Sequence, residues 1–121
     1  MTNPFRGELE IKLNGTTHKT RMTVDSCMKV EAATGLSLVK LTGSLAMGEL
    51  TITQIVGVLH PAIRGGGNDV TEKQVADWVY QAGIAPSMVA AGEVLANVLG
   101  GAGGLDGESA EKNVEEADPD S

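Results

Sequence analysis

The chain has 121 residues and a formal net charge of −7 at pH 7, which allows one domain with a modest core. The charge is uneven: from Asp106 onward, Asp106, Glu108, Glu111, Glu115, Glu116, Asp118 and Asp120 face only Lys112, leaving a nearly neutral body with no basic stripe for a nucleic acid. The single cysteine, Cys27, excludes an intramolecular disulfide and a multi-cysteine metal site. No stretch approaches the ~18 to 20 apolar residues of a membrane span, and residues 1–6 lack the apolar run of a secretory signal, so a cytoplasmic location is expected.

Aromatic residues are limited to Phe5, Trp78 and Tyr80, so the core must come from Leu, Val, Ile, Met and Ala, which suits packed helices. Residues 8–13 alternate polar and apolar, Asn14-Gly15 is a strong two-residue turn signal, and residues 16–24 resume a β-like pattern. The implied hairpin sets Leu13 opposite Thr16, Ile11 opposite His18 and Leu9 opposite Thr20. Its other face then pairs Glu10 with Lys19 and Glu8 with Arg21. Exposed pairs of this kind contribute only ~0.2 to 1 kcal/mol each, so the apolar face must anchor the hairpin. The match of Asn14-Gly15-Thr16 to a glycosylation sequon is read as this turn.

Helical spacing follows. Asp25 or Ser26 is expected to cap a short helix that Gly35 ends, and Leu38, Leu41 and Leu45 mark a second that closes near Gly48. Thr51 opens a third, with Ile52, Ile55, Val56, Leu59 and Ile63 as its buried stripe. Pro61 is expected to kink it or to set residues 61–64 apart as a last turn. Thr71 begins a fourth helix with an unusually complete signal: Gln74 can close a capping box with it, and Val70 can staple onto Val75. Val75, Trp78 and Val79 point inward, and Gly83 is the stop. Pro86 suits the first turn of a fifth helix ending near Leu99, with Met88, Ala91, Gly92, Leu95, Val98 and Leu99 as the core stripe.

Residues 100–107 are mostly glycine and the remainder is acidic, which predicts a flexible linker and a disordered tail. No internal repeat is present. The expected architecture is α+β: an N-terminal antiparallel β-hairpin packed on about five short helices over residues 1–99, then the tail over residues 100–121.

Chemistry is sparse. Gly65-Gly66-Gly67 before a helix start suggests a phosphate cradle, but no Gly-Lys-Ser/Thr follows and Asp69 and Glu72 already occupy the positive end. An inter-helix turn is the stronger reading. His18 and His60 lack a second ligand at helical spacing, so His18 reads as a half-buried hairpin residue and His60 as a helix-end residue. Cys27 with either histidine would make a nucleophile pair, but a buried structural thiol is the commoner case. No catalytic, cofactor or metal residues are assigned, and a non-enzyme is expected. On the fifth helix Val89, Ala90 and Val94 fall outside the core stripe. They are expected at the surface, covered by a partner or by a second copy of the chain. Arg64, Gly65, Gly66 and Gly67 form a second candidate partner-binding set.

Several of these stretches occur together elsewhere. Asn3-Pro4-Phe5-Arg6-Gly7-Glu8, the short hairpin, Thr34-Gly35-Leu36-Ser37-Leu38 and above all Arg64-Gly65-Gly66-Gly67-Asn68-Asp69-Val70-Thr71 resemble the small tail assembly chaperones of gene transfer agents and related long-tailed phages. The resemblance spans residues 3–99 and leaves out the acidic tail. It implies a helper in the bacterial host cytoplasm that binds tape measure protein and tail tube subunits and is absent from the finished particle. In some relatives a ribosomal frameshift extends the same protein. The resemblance carries no catalytic residues. This chain has Asn68 where a histidine is common, which argues against a metal at the loop. The alternatives are a small structural protein retained in the tail or neck, and a phosphate-binding protein or enzyme using the glycine loop.

Overall fold

The computed structural model describes residues 7–100; of the linker and acidic tail expected over residues 100–121, all but Gly100 lies outside that range. The hairpin forms as its turn dictates. β1 (Glu8–Leu13) and β2 (Thr16–Arg21) pair antiparallel in the expected register, from Leu13 opposite Thr16 to Glu8 opposite Arg21. Asn14 (φ 54°) and Gly15 (φ 76°) both take positive φ, the conformation whose twist matches the flanking strands. Ile11 and Leu13 are buried, and Thr20 is buried with its hydroxyl donating to the Leu9 carbonyl at 2.8 Å. Glu10–Lys19 and Glu8–Arg21 face each other, yet the ion pairs among the described residues are elsewhere, at Asp25–Lys29, Arg64–Asp69 and Lys73–Asp77. The apolar face therefore anchors the hairpin.

β2 stops at Arg21 and not near Val24. Met22 turns its side chain into the core, and Thr23 becomes the N-cap of α1 (Val24–Thr34) by accepting a hydrogen bond from the Ser26 amide at 3.0 Å. The expected caps, Asp25 and Ser26, lie inside the first turn: Asp25 pairs with Lys29, and Ser26 is buried. Gly35 (φ 73°) ends α1 in the left-handed region. Ser37 caps α2 (Leu38–Ala46), which buries Leu41.

α3 (Ile52–Gly65) is the centre of the fold. Thr51 and Gln54 close a capping box at its start, and the helix continues through Pro61 without the separate last turn expected there. A proline inside a helix removes the amide that would donate to the carbonyl four residues back, here Gly57. Burial compensates: Pro61, Ala62 and Ile63 are all buried, so the last turn is held by packing. The stripe read from the sequence is also too narrow. Ile55 to Leu59 are all buried, because α1, α4, α5 and β2 surround this helix, whereas Ile52 at its start stays half-exposed. Gly57 lets α1 pack closely: an added Cβ would lie 2.8 Å from the Thr34 methyl.

α4 (Glu72–Ala82) has the expected capping box, with Gln74 N donating to Thr71 Oγ1 at 3.1 Å and Thr71 N donating to Gln74 Oε1 at 2.9 Å. Val75 and Val79 are buried, and Trp78 is half-buried with its ring stacked on His18 at a centroid distance of 4.7 Å. Gly83 (φ 98°) stops the helix.

α5 (Ile84–Gly100) carries Pro86 in its first turn, where no amide bond is lost. Its buried stripe is Ser87, Ala90, Ala91, Val94 and Leu95, which shares only Ala91 and Leu95 with the expected one. The correction matters for function, because Ala90 and Val94, expected at the surface, are each only 1% exposed. Both stripes obey helical periodicity. What selects between them is tertiary: the Ser87 hydroxyl donates to the Gly83 carbonyl at 2.7 Å and packs inward, while Gly92 faces Leu45 of α2.

Two predictions follow from this packing. Thr71→Ala and Thr51→Ala each remove an N-cap and should cost ~1 kcal/mol, whereas Lys73→Ala on the exposed first turn of α4 should leave the thermal midpoint nearly unchanged; scanning calorimetry decides. The second concerns His18. Burial pushes its imidazole below the ordinary value of 6.5, outweighing the opposing influence of the Leu13 backbone. The unfolded chain then takes up the proton more readily, so this contribution to stability is complete above the unfolded value and is lost as pH falls through the folded one. The melting temperature should drop as pH falls below about 6.5, and His18→Phe, which keeps a ring on Trp78, should flatten that slope.

Candidate functional site

The loop after α3 is the segment the sequence marks most strongly, and its structure follows from what each glycine must avoid. Gly65 ends the helix with its Cα against β2: an added Cβ would collide with the Arg21 carbonyl oxygen and lie 2.7 Å from Ser26 Oγ. Gly66 meets the neighbouring stretch of the same strand, where a Cβ would run into the Lys19 carbonyl. Gly67 (φ 96°) is exposed and turns the chain away. Asn68 then donates from Nδ2 to the Lys19 carbonyl at 2.9 Å and to the Ile63 carbonyl at 3.1 Å, bridging β2 and α3. His60 Nε2 lies 3.0 Å from the Val70 carbonyl, which can only accept, so this nitrogen carries the proton and ties the loop back to the helix.

These contacts remove the donors a phosphate would need. The amide of Gly66 donates to the carbonyls of Ala62 and Ile63, that of Gly67 to Arg64, and those of Asn68 and Val70 to Ile63 and Asn68. The α4 N-terminus is occupied by its own capping box. The triple glycine is a clasp between α3 and the hairpin, and the amides of Gly66, Gly67, Asn68 and Val70, the donors of a phosphate cradle at this loop, are already engaged.

Of the loop residues named as candidate partner contacts, Gly65 and Gly66 are turned onto β2, while Arg64 and Gly67 face outward. Arg64 lies 4.0 Å from Asp69, an exposed pair worth little. Arg64 and Gly65 also border a groove of about 580 Å³ with Asp25, Lys29, His60 and Glu72. It meets a second groove of about 280 Å³, lined by Ile52, Val56 and Ala76, at Ala33 and Glu72. Both signs of charge line these grooves, and no cluster of three metal-ligating side chains occurs among the described residues. Burial, assisted by Glu31, pushes the Cys27 thiol up and so away from the reactive thiolate.

On α5 only Val89 of the three candidates remains outside, at 63% exposure. The sequence reading missed a larger apolar surface on α2. Val39 and Met47 are each 71% exposed and, with Gly43 and Ala46, make an outward row at helical spacing without a charge. Lys40 is the only charged residue of that helix. The signal lies in the spacing: Leu38, Leu41 and Leu45 account for the core side, which leaves Val39, Gly43, Ala46 and Met47 as an uncharged row at the same period. Val89 shares a side of α5 with Gly92, the residue that meets Leu45 of α2, so it stands on the flank that α2 adjoins.

No helix among the described residues is long and apolar enough to cross a membrane. Among curated proteins and among solved structures, none matches the chain. A family model described as "Phage tail tube protein, GTA-gp10" matches residues 6–101. Because that span takes in every described element from β1 through α5, the chain belongs to this family and is a protein of phage or gene transfer agent tails.

Proposed function

We propose that the protein is a non-enzymatic tail assembly chaperone that binds tape measure protein, tail tube protein or both in the bacterial host cytoplasm. The observation that carries this reading is the outward row of α2, Val39, Gly43, Ala46 and Met47, with Val89 on the adjoining flank of α5. A helix apolar on its solvent side as well as on its core side meets a partner. Membership of a tail family supports a tail protein as that partner.

A second reading, a structural component retained in the tail, draws support from the words "tail tube" in the family's own description. Mass spectrometry of purified particles separates the two. A chaperone is present in the lysate and missing from the particle, whereas a structural protein is found at the copy number of a tail component.

Under either reading, Val39→Asp combined with Met47→Asp should abolish co-purification with a tape measure or tube fragment. Circular dichroism should remain intact, because both side chains are exposed. Val94→Asp, by contrast, places a carboxylate in the core and should unfold the protein. Binding that survives the α2 double substitution would move the partner surface elsewhere.

A further inference from the structure

The two edges of the hairpin differ. In the antiparallel ladder Met22 N donates to the Gly7 carbonyl at 3.0 Å, so the bonded positions of β1 are Gly7, Leu9, Ile11 and Leu13. The amides and carbonyls of Glu8, Glu10 and Lys12 therefore point away from β2. On the far edge two of the matching carbonyls are covered: Asn68 and Gly66 sit on that of Lys19 and Gly65 on that of Arg21. On the β1 edge, among the described residues, no backbone bond runs from Glu8, Glu10 or Lys12 to another segment. Glu10 and Lys12 are exposed; only beyond Lys12 does the turn end of the hairpin meet α4 and α5, across a cleft of about 350 Å³ bridged by Asn14 Nδ2 donating to Gln81 Oε1 at 2.7 Å.

We propose that a second copy of this chain adds to that edge, β1 against β1 in antiparallel order about a two-fold axis at Ile11, to make a four-stranded sheet β2-β1-β1-β2. Charge selects both the occupant and the register. With the axis at Ile11, Glu10 lies opposite Lys12 of the second copy, Lys12 opposite its Glu10, and Glu8 opposite its Asn14. Shifting the axis to Glu10 keeps two Glu–Lys pairs, Glu8 with Lys12, but sets the two Glu10 carboxylates directly against each other, which opposes slippage. The same charges deter a strand that lacks the complementary order. This interface uses neither α2 nor Val89, so it stands or falls independently of the tail-partner surface.

Sedimentation of the full chain at rising protein concentration should show the 12.5 kDa species giving way to one of twice that mass. Glu10→Pro is the sharpest variant: the Glu10 amide makes no bond to β2, so proline is tolerated there but cannot donate to a second copy. It should remain monomeric with unchanged circular dichroism. Glu10→Lys and Lys12→Glu should each weaken association by about tenfold or more. Mixing the two variants should restore it, because their charge rows are then complementary. A protein that stays monomeric at every concentration overturns the proposal. So does a dimer indifferent to the charge reversals, or one that their mixing does not restore, and these two readings hold even if Glu10→Pro perturbs the fold.

Discussion

The close approach of the α3 C-terminus to β2 is the constraint on which the other packing depends. A lone two-stranded hairpin is marginal in water, and this one gains its position from Ile11 and Leu13 beneath it and from the clasp at its edge. The clasp requires backbone against backbone. Gly65 and Gly66 permit it, and Asn68 completes it by satisfying the Lys19 carbonyl that the close approach would otherwise leave unpaired. Since α3 also carries α1, α4 and α5 on its other sides, the clasp couples the hairpin to the whole helical body.

Features governed by neighbours in the chain were legible in the sequence. The Asn14-Gly15 turn, the full hairpin register, the Thr71–Gln74 capping box and the stops at Gly35 and Gly83 all follow from local stereochemistry. Features decided by distant contacts were not. α5 offers two equally periodic apolar stripes, and only the inward turn of Ser87 and the seating of Gly92 on Leu45 select one. Pro61 reads as an interruption until the burial around it is known. Thr23 replaced the expected caps of α1 because the strand ended early, with Met22 drawn into the core.

The same division explains the candidate site. The glycine loop drew attention because it is rare in sequence, but its rarity serves packing. The apolar row of α2 drew none, since each of its residues is ordinary and only the knowledge of which side faces solvent makes it unusual. Family membership ties the protein to phage or gene transfer agent tails, and the exposed row on α2 is the surface proposed for its assembly contacts.

The most direct test of the clasp is the sign of the stability change in Gly66→Ala. Gly66 has φ −77° and ψ 1°, a conformation alanine adopts without strain, so backbone entropy alone predicts a gain of ~0.4 to 1 kcal/mol. Packing predicts the reverse, because the added methyl would meet the Lys19 carbonyl and force α3 and β2 apart. Denaturant unfolding should therefore show Gly66→Ala to be less stable than the wild type by at least ~1 kcal/mol; an unchanged or higher stability would contradict the account.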